Sequence, residues 1–225
     1  MSDSNPIAVL FDIDGTLADS NFLHVDAWNS AFTDLGLSVP SWRIQRAIGA
    51  DGSELLAQLI DGESDETKSR ASDLHSEHYQ KLTPRLQLLP GARDLLQTVA
   101  SHGARIVLAT SAPEEELEHL LKLLDVDDLL YAVTSSEDVE TSKPNPDIIA
   151  VALGKAGVKP DDAIMIGDAV WDVKSASAAG VSTIALRSGG TGTAELTEAG
   201  AVAVYEEAAD LAAGIDSSPL ARLWA

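Results

Sequence analysis

The chain has no cysteine. No disulfide can form, which fits a reducing compartment, and no thiolate is present to favour a soft metal. Basic residues are few: 15 Lys and Arg stand against 36 Asp and Glu, a formal charge of -21. Such a surface excludes nucleic acid and anionic membranes as expected partners. It would equally repel a phosphorylated ligand, so any phosphate site must build its own positive field. No apolar run reaches membrane-spanning length. The opening residues MSDSNP have no basic stretch followed by an apolar one, so no secretory leader is expected. A cytoplasmic protein is the expectation, monomer or homodimer. There is no internal repeat and no low-complexity tract. With 45% hydrophobic residues in 225, the chain can bury a proper core as one domain, or one domain with an insertion.

The stretch at 7–16, IAVLFDIDGT, organises the rest. Residues 7–11 are apolar without alternation, the pattern of a strand buried on both faces. Asp12 and Asp14 follow, one residue apart. In an extended chain they can address one point. Gly15 then allows a tight turn and close approach to a ligand. Two carboxylates beside open amides at such a strand end suit a metal ion and a phosphate. The bland alternative is a capped turn.

Helical spacing then dominates. Leu23, Ala27, Ala31, Phe32 and Leu35 mark a helix closed by Gly36, and further helices are expected from Pro40 to about Gly49, over 53–60 and over 64–82. No strand is expected in that block. From Pro90 onward, helices over 92–102, 113–124, 146–156, 169–179 and 193–199 alternate with strands over 104–109, 129–133, 163–166, 182–186 and 201–204. This is the pattern of an α/β doubly wound parallel sheet. The glycine cluster at Gly189, Gly190 and Gly192 reads as a surface turn, with a phosphate contact there as the weaker alternative.

Three later strand ends are unusual. Thr110 and Ser111 follow the strand at 104–109 and precede a helix, a natural phosphate contact, although an N-cap is the simpler reading of Thr110 alone. Lys143 sits in SKPNP, where two prolines would aim its ammonium; alone it reads as an exposed lysine. Gly167-Asp168 ends the strand at 163–166, with Asp172 one helical turn on. That carboxylate pair suits a divalent cation, or else caps a helix.

Together and in order, these motifs resemble the haloacid dehalogenase-like superfamily, mostly phosphatases: Asp12-Ile13-Asp14-Gly15-Thr16, Thr110, Lys143, then Gly167-Asp168 with Asp172. The resemblance spans nearly the whole chain. It implies an α/β core over 1–20 and 89–225, with residues 21–88 as an inserted all-helical cap. It implies a phosphoric monoester hydrolase acting on a small phosphorylated metabolite such as a sugar phosphate. Asp12 would be the nucleophile that forms an aspartyl-phosphate, and Asp14 the general acid and base. Mg2+ would be held by Asp12, the Asp14 carbonyl and Asp168, with Asp172 as a ligand or behind the ligands. Thr110, Lys143 and amides near Gly15 and Ser111 would hold the phosphoryl oxygens. Dehalogenases and phosphonoacetaldehyde hydrolases lack the acid/base aspartate, so Asp14 favours phosphoryl transfer.

The residues around Asp19-Ser20, His24 and Ala27-Trp28 also resemble the cap entrance of β-phosphoglucomutases. His24 is a candidate hinge or substrate group, or a structural histidine; Trp28 reads as packing. Arg43, Arg46, His75 and His78 are weaker candidates for substrate contact. Mutases of that kind place an arginine in the cap loop and a lysine on the next cap helix, positions that fall here at Gly52 and His75. They also carry a glutamate where this chain has Gly167. Hydrolysis is therefore expected over isomerisation. A non-catalytic relative is a third reading, disfavoured because the motifs are intact.

Overall fold

The computed structural model describes residues 5–139, 141 and 143–224. The apolar run after Pro6 forms β1 (Ala8–Phe11), and every residue in it is fully buried. Val9 and Phe11 enter one core, Ala8 and Leu10 the other. A strand serving two cores needs apolar residues at every position, which explains the absence of alternation.

Four helices follow: α1 (Asn21–Asp34), α2 (Ser41–Ala47), α3 (Gly52–Leu59) and α4 (Asp65–Leu82). Asp51 caps α3 through the amide of Ser53, and Ser64 caps α4 through that of Thr67. This block has an apolar cluster of its own, including Trp28, Phe32, Ile44 and Leu55. The chain enters and leaves it on two linkers paired by backbone hydrogen bonds, Leu89 N to Leu17 O and Asp19 N to Gln87 O, both 2.9 Å.

The α/β pattern then runs α5 (Ala92–Ser101), β2 (Arg105–Ala109), α6 (Glu114–Leu124), β3 (Leu130–Thr134), α7 (Asp147–Ala156) and β4 (Ala163–Gly167). It continues through α8 (Val170–Ala178), β5 (Ser182–Leu186), α9 (Thr193–Ala199) and β6 (Ala203–Tyr205). The last strand begins later than expected because Ala201 is still tied to the end of α9, its amide donating to Leu196 O. Two helices were not anticipated, α10 (Ala208–Ala213) and α11 (Ala221–Trp224). Ala208, Leu211 and Ile215 recur at helical spacing and are all buried in the larger core, a signal the sequence did carry.

All strands are parallel, in the order β3-β2-β1-β4-β5-β6. The winding reverses between β1 and β4, so the loops at their carboxyl ends part and leave a crevice. Phe11 lies level with Leu108 and Ile166. Asp12, Thr110 and Asp168 therefore emerge at nearly the same height. Among the described residues, no helix is long and apolar enough to cross a membrane.

Candidate active site

The floor of the crevice is a buried charge cluster. Lys143 Nζ donates to Asp12 Oδ1 at 2.6 Å and lies 2.7 Å from Asp172 Oδ1, an ion pair off the hydrogen-bond direction. Lys143 is thus buried rather than exposed, at the end of a segment whose Lys143–Pro144 peptide is cis. Burial alone would strip its proton, but Asp12 and Asp172 outweigh that and hold its pKa above the usual lysine value. Asp172 uses its other oxygen to accept from the amides of Asp168 (3.2 Å) and Ala169 (3.0 Å). It therefore caps α8, but from inside rather than as a surface charge. Asp168 itself precedes the helix. Thr16 Oγ1 donates to one of its oxygens at 3.0 Å and Asn21 Nδ2 to the other at 2.9 Å. Carboxylate oxygens of Asp12, Asp168 and Asp172 lie within 4.8 Å of one another. Burial pushes Asp12 up to about 7 against the pull of Lys143, with Asp172 and Asp14 adding to the rise. Asp168 is raised well above its usual value, first by burial and then by Asp172 and Asp12. Three buried carboxylates with one lysine are short of positive charge, and an all-oxygen set of this kind fits a hard divalent cation.

Asp14 points to a different environment. Ser20 Oγ donates to its Oδ1 at 2.5 Å, and His24 Nε2 lies 3.6 Å from the same oxygen. Burial would raise Asp14, but the His24 ring and the Ser20 hydroxyl outweigh it and hold the carboxyl below its usual value. Burial likewise would lower His24, yet Asp14 and the charge of Glu116 raise it. His24 Nδ1 is 3.1 Å from His75 Nε2. Burial, then His24 and His78, keep His75 well below the usual imidazole value. The rings are layered: His24 on Tyr79 with centroids 4.0 Å apart, His75 on Trp28 at 4.2 Å. His24 is thus both packed into the helical block and turned toward Asp14.

The phosphate-side groups differ in one respect from the sequence expectation. The amide of Gly15 already donates to Ala18 O at 2.8 Å, so it is spent within the turn. Gly15 is needed there for another reason: its φ is +72°, and a Cβ would fall 2.6 Å from Asp168. The amides of Ile13 and Asp14 donate to no backbone carbonyl of this turn. With the amide of Ser111, they have no partner among the described residues and can meet an anion. Thr110 Oγ1 accepts from Ala112 N at 3.0 Å, leaving its own proton to donate; the N-cap of α6 is Pro113. Ser111 Oγ is buried with no partner among the described residues. Asp12, Asp14, Thr110, Ser111 and Lys143 line one side of a cavity of about 320 Å³, and His24, Trp28 and His75 line the other.

The family model described as haloacid dehalogenase-like hydrolase matches residues 9–186. The chain belongs to this family. It is similar to a phosphoglycolate phosphatase from Rhodospirillum rubrum, 29% identical over 216 residues, 92% of this chain and 89% of that protein. A phosphorylated carbohydrates phosphatase from Thermotoga maritima is 29% identical over 88% of this chain and 94% of its own length. Among solved structures, a hydrolase from Pseudomonas syringae superposes with a TM-score of 0.89 at 35% identity, covering 94% of this chain and 98% of that one.

In this haloacid dehalogenase-like chain the fold brings together Asp12, Asp14, His24, Thr110, Ser111 and Lys143 around the cavity, with Asp168 and Asp172 behind. Other candidates fall outside it. Arg46 pairs with Glu195 of α9, Arg43 donates to Gln58 O, and His78 lies 2.8 Å from Asp34. Sequence reading missed Asn21 and Gly189. Gly189 does lie in a turn, but a buried one: its carbonyl accepts from Asn21 Nδ2 at 3.3 Å, and a Cβ there would collide with Asp168 at 1.6 Å. Glu116, one of three successive acids that open α6, is buried and lines the cavity.

Proposed function

We propose that the protein hydrolyses a small phosphorylated metabolite, a sugar phosphate or a related phosphomonoester, by phosphoryl transfer to Asp12 and then to water. The observation that carries this reading is the division between the two aspartates. Asp12 lies among Lys143 and the metal-type carboxylates, while Asp14 is held apart by Ser20 and His24. That division suits the first to act as a nucleophile and the second to move a proton. Asp12 Oδ attacks phosphorus and the ester oxygen leaves, taking a proton through Asp14, to which the adjacent His24 ring supplies it. Asp14 then takes a proton from water, whose oxygen attacks the same phosphorus and frees Asp12.

The carboxylates of Asp12 and Asp168 and the carbonyl of Asp14 would hold Mg2+, with Asp172 fixing Lys143 behind them. Bound there, the cation offsets the negative charge of the phosphoryl group and of the carboxylates. Lys143, Thr110, Ser111 and the amides of Ile13 and Asp14 orient the phosphoryl oxygens. Residues 21–88 would act as a cap that opens for substrate and closes to exclude water, hinged near residues 17–21 and 88–91. A cytoplasmic setting belongs to this same reading.

Hydrolysis is favoured over isomerisation by the cap wall. A mutase must hold a second phosphate, and Gly52 and His75 line the cavity without a permanent cation. Arg46 and Lys68 are occupied elsewhere, with Glu195 and Asp61 O. At Gly167 a Cβ would fall 2.5 Å from Asp172, so a glutamate there would displace Lys143's partner.

The test is phosphate release from p-nitrophenyl phosphate with Mg2+ and after chelation, for wild type and Asp12→Asn. Wild type should require the cation, and the variant should lose at least two orders of magnitude while keeping its melting temperature. Retention of a tenth of wild-type turnover would remove Asp12 from this role.

A further inference from the structure

The far side of the cavity, where the leaving group must sit, has a lopsided chemistry. Among the described residues that line the cavity, Lys143 is the one lysine or arginine, and it is engaged with Asp12 and Asp172. Asp51 also lines the cavity, but its carboxylate is turned into the cap of α3, accepting Ser53 N at 2.8 Å. Glu116, on the first turn of α6, is different. Its residue is 9% exposed, it borders the cavity, and it makes no hydrogen bond or ion pair with any described residue. Around it the wall offers neutral hydroxyls, Ser53, Ser72, Ser76 and Ser136. The Glu116 carboxyl opens onto the cavity and has no partner among the described residues, so a ligand entering the cavity can meet it.

We propose that Glu116 is the specificity-determining residue for the leaving group, hydrogen-bonding a hydroxyl of a neutral, polyhydroxylated alcohol and rejecting a leaving group that carries a second anion. The inference rests on the phosphatase reading above and narrows its substrate class.

A hydroxyl satisfies Glu116 in either protonation state, donating to the carboxylate or accepting from the acid. A substrate carboxylate or second phosphate can only accept. It meets repulsion from the charged form and finds no free cation on this side of the cavity to compensate. Burial pushes Glu116 up to about 7, so both forms are present near neutrality and the hydroxyl partner fits both. The His24 ring has no N–H to offer an anion, because its Nε2 faces Asp14 and its Nδ1 faces His75, and its charge is already set against Asp14 and Glu116. The proposal runs against the simplest reading of the relatives named phosphoglycolate phosphatase, whose named substrate carries a carboxylate.

The experiment compares kcat/KM for sorbitol 6-phosphate, phosphoglycolate and p-nitrophenyl phosphate in wild type, Glu116→Gln and Glu116→Lys, with melting temperatures as a folding control. Wild type should prefer sorbitol 6-phosphate to phosphoglycolate by at least about tenfold, the scale of one unscreened like-charge contact. Glu116→Gln should narrow that ratio, and Glu116→Lys should narrow it further or reverse it, through KM more than kcat. A wild type that prefers phosphoglycolate would overturn the proposal without help from any variant. So would a ratio unchanged in both variants, while p-nitrophenyl phosphate turnover left the phosphatase reading intact. No release from any of the three substrates by wild type would sink the phosphatase reading and this inference with it.

Discussion

At the floor of the cavity one lysine sits within 2.7 Å of two carboxylates that water scarcely reaches. Across the cavity, Trp28, His75, His24 and Tyr79 lie ring against ring, with centroid spacings of 4.0 to 5.3 Å. Both regions are buried, but different forces hold them. The floor depends on charge compensation in a medium that screens poorly, so each member is fixed by its partners. The wall depends on stacked area and shape, which tolerate substitution of like size. A floor residue should therefore be costly to change and sensitive to cations, and an aromatic ring of the wall less so on both counts.

Lys143→Met is the sharpest way to test that difference. It keeps the buried stem and leaves Asp12, Asp168 and Asp172 facing one another. Removing one partner of a buried pair costs about 3–5 kcal/mol. For a chain of this size that lowers the melting temperature by on the order of 10 °C in metal-free buffer. The pH dependence has a definite sign. The folded Asp12 titrates at about 7, above its ordinary 3.8. Its contribution is complete below about pH 4 and is lost as the pH rises through 7. Without Lys143 that loss is larger, so the gap between wild type and variant should widen from pH 4 to pH 8. Saturating Mg2+ should narrow the gap at pH 8. Thermal melts across that range, with and without the cation, decide the matter. A gap independent of pH would mean that Lys143 acts through its stem and not its charge.

The wall should behave otherwise, and Tyr79→Phe shows how. Tyr79 is 1% exposed, and its hydroxyl has no partner among the described residues. Burial pushes that hydroxyl far above the usual tyrosine pKa, followed by the charges of Asp14 and Glu116, so it stays protonated. Deleting it removes an unsatisfied polar atom and keeps the ring over His24. Stability should be unchanged or higher by up to about 1 kcal/mol, with no dependence on Mg2+. A loss of more than about 2 kcal/mol in denaturant melts would show that the hydroxyl has a partner such as a fixed water.

The same contrast explains what the sequence could show. Floor residues announce themselves because each follows a buried strand: Asp12 after β1, Thr110 after β2, Asp168 after β4. Parallel register then brings strand ends to one height, so linear order predicts spatial neighbours. Lys143 is legible only through its two flanking prolines and the resemblance. The wall has no such rule. Helical spacing marks Leu23, Ala27 and Phe32 as buried but cannot say which buried residue borders a cavity. His24 and His75 are 51 residues apart and meet through the pairing of α1 with α4. Glu116 was hidden in a run of three glutamates that a helix N-terminus explains equally well. Gly189 lies in the turn its neighbours suggest, but nothing in them reveals that Asp168 lies against it.

The smallest effect is expected where the helical block meets the core at the surface. Arg46, in the last turn of α2, pairs with Glu195, in the first turn of α9, and the two side chains are 57% and 41% exposed. Exposed pairs of this kind contribute about 0–1 kcal/mol. Arg46→Ala should therefore shift the melting temperature by no more than about 4 °C. Its place matters more than its strength, because it joins the helical block to the core, and if that block moves as the proposed cap the pair would favour closure. Apparent affinity falls in proportion to the closed population, so KM should rise by up to about fivefold. The chemical groups are untouched, so kcat should hold, or rise if cap opening limits product release. Glu195→Ala should do the same, and the double variant no more than either, since the pair acts as a unit. Steady-state kinetics on the three variants reads this directly. Additive effects would show that Arg46 and Glu195 act separately, and a fall in kcat with KM unchanged would place Arg46 in the chemistry rather than the latch.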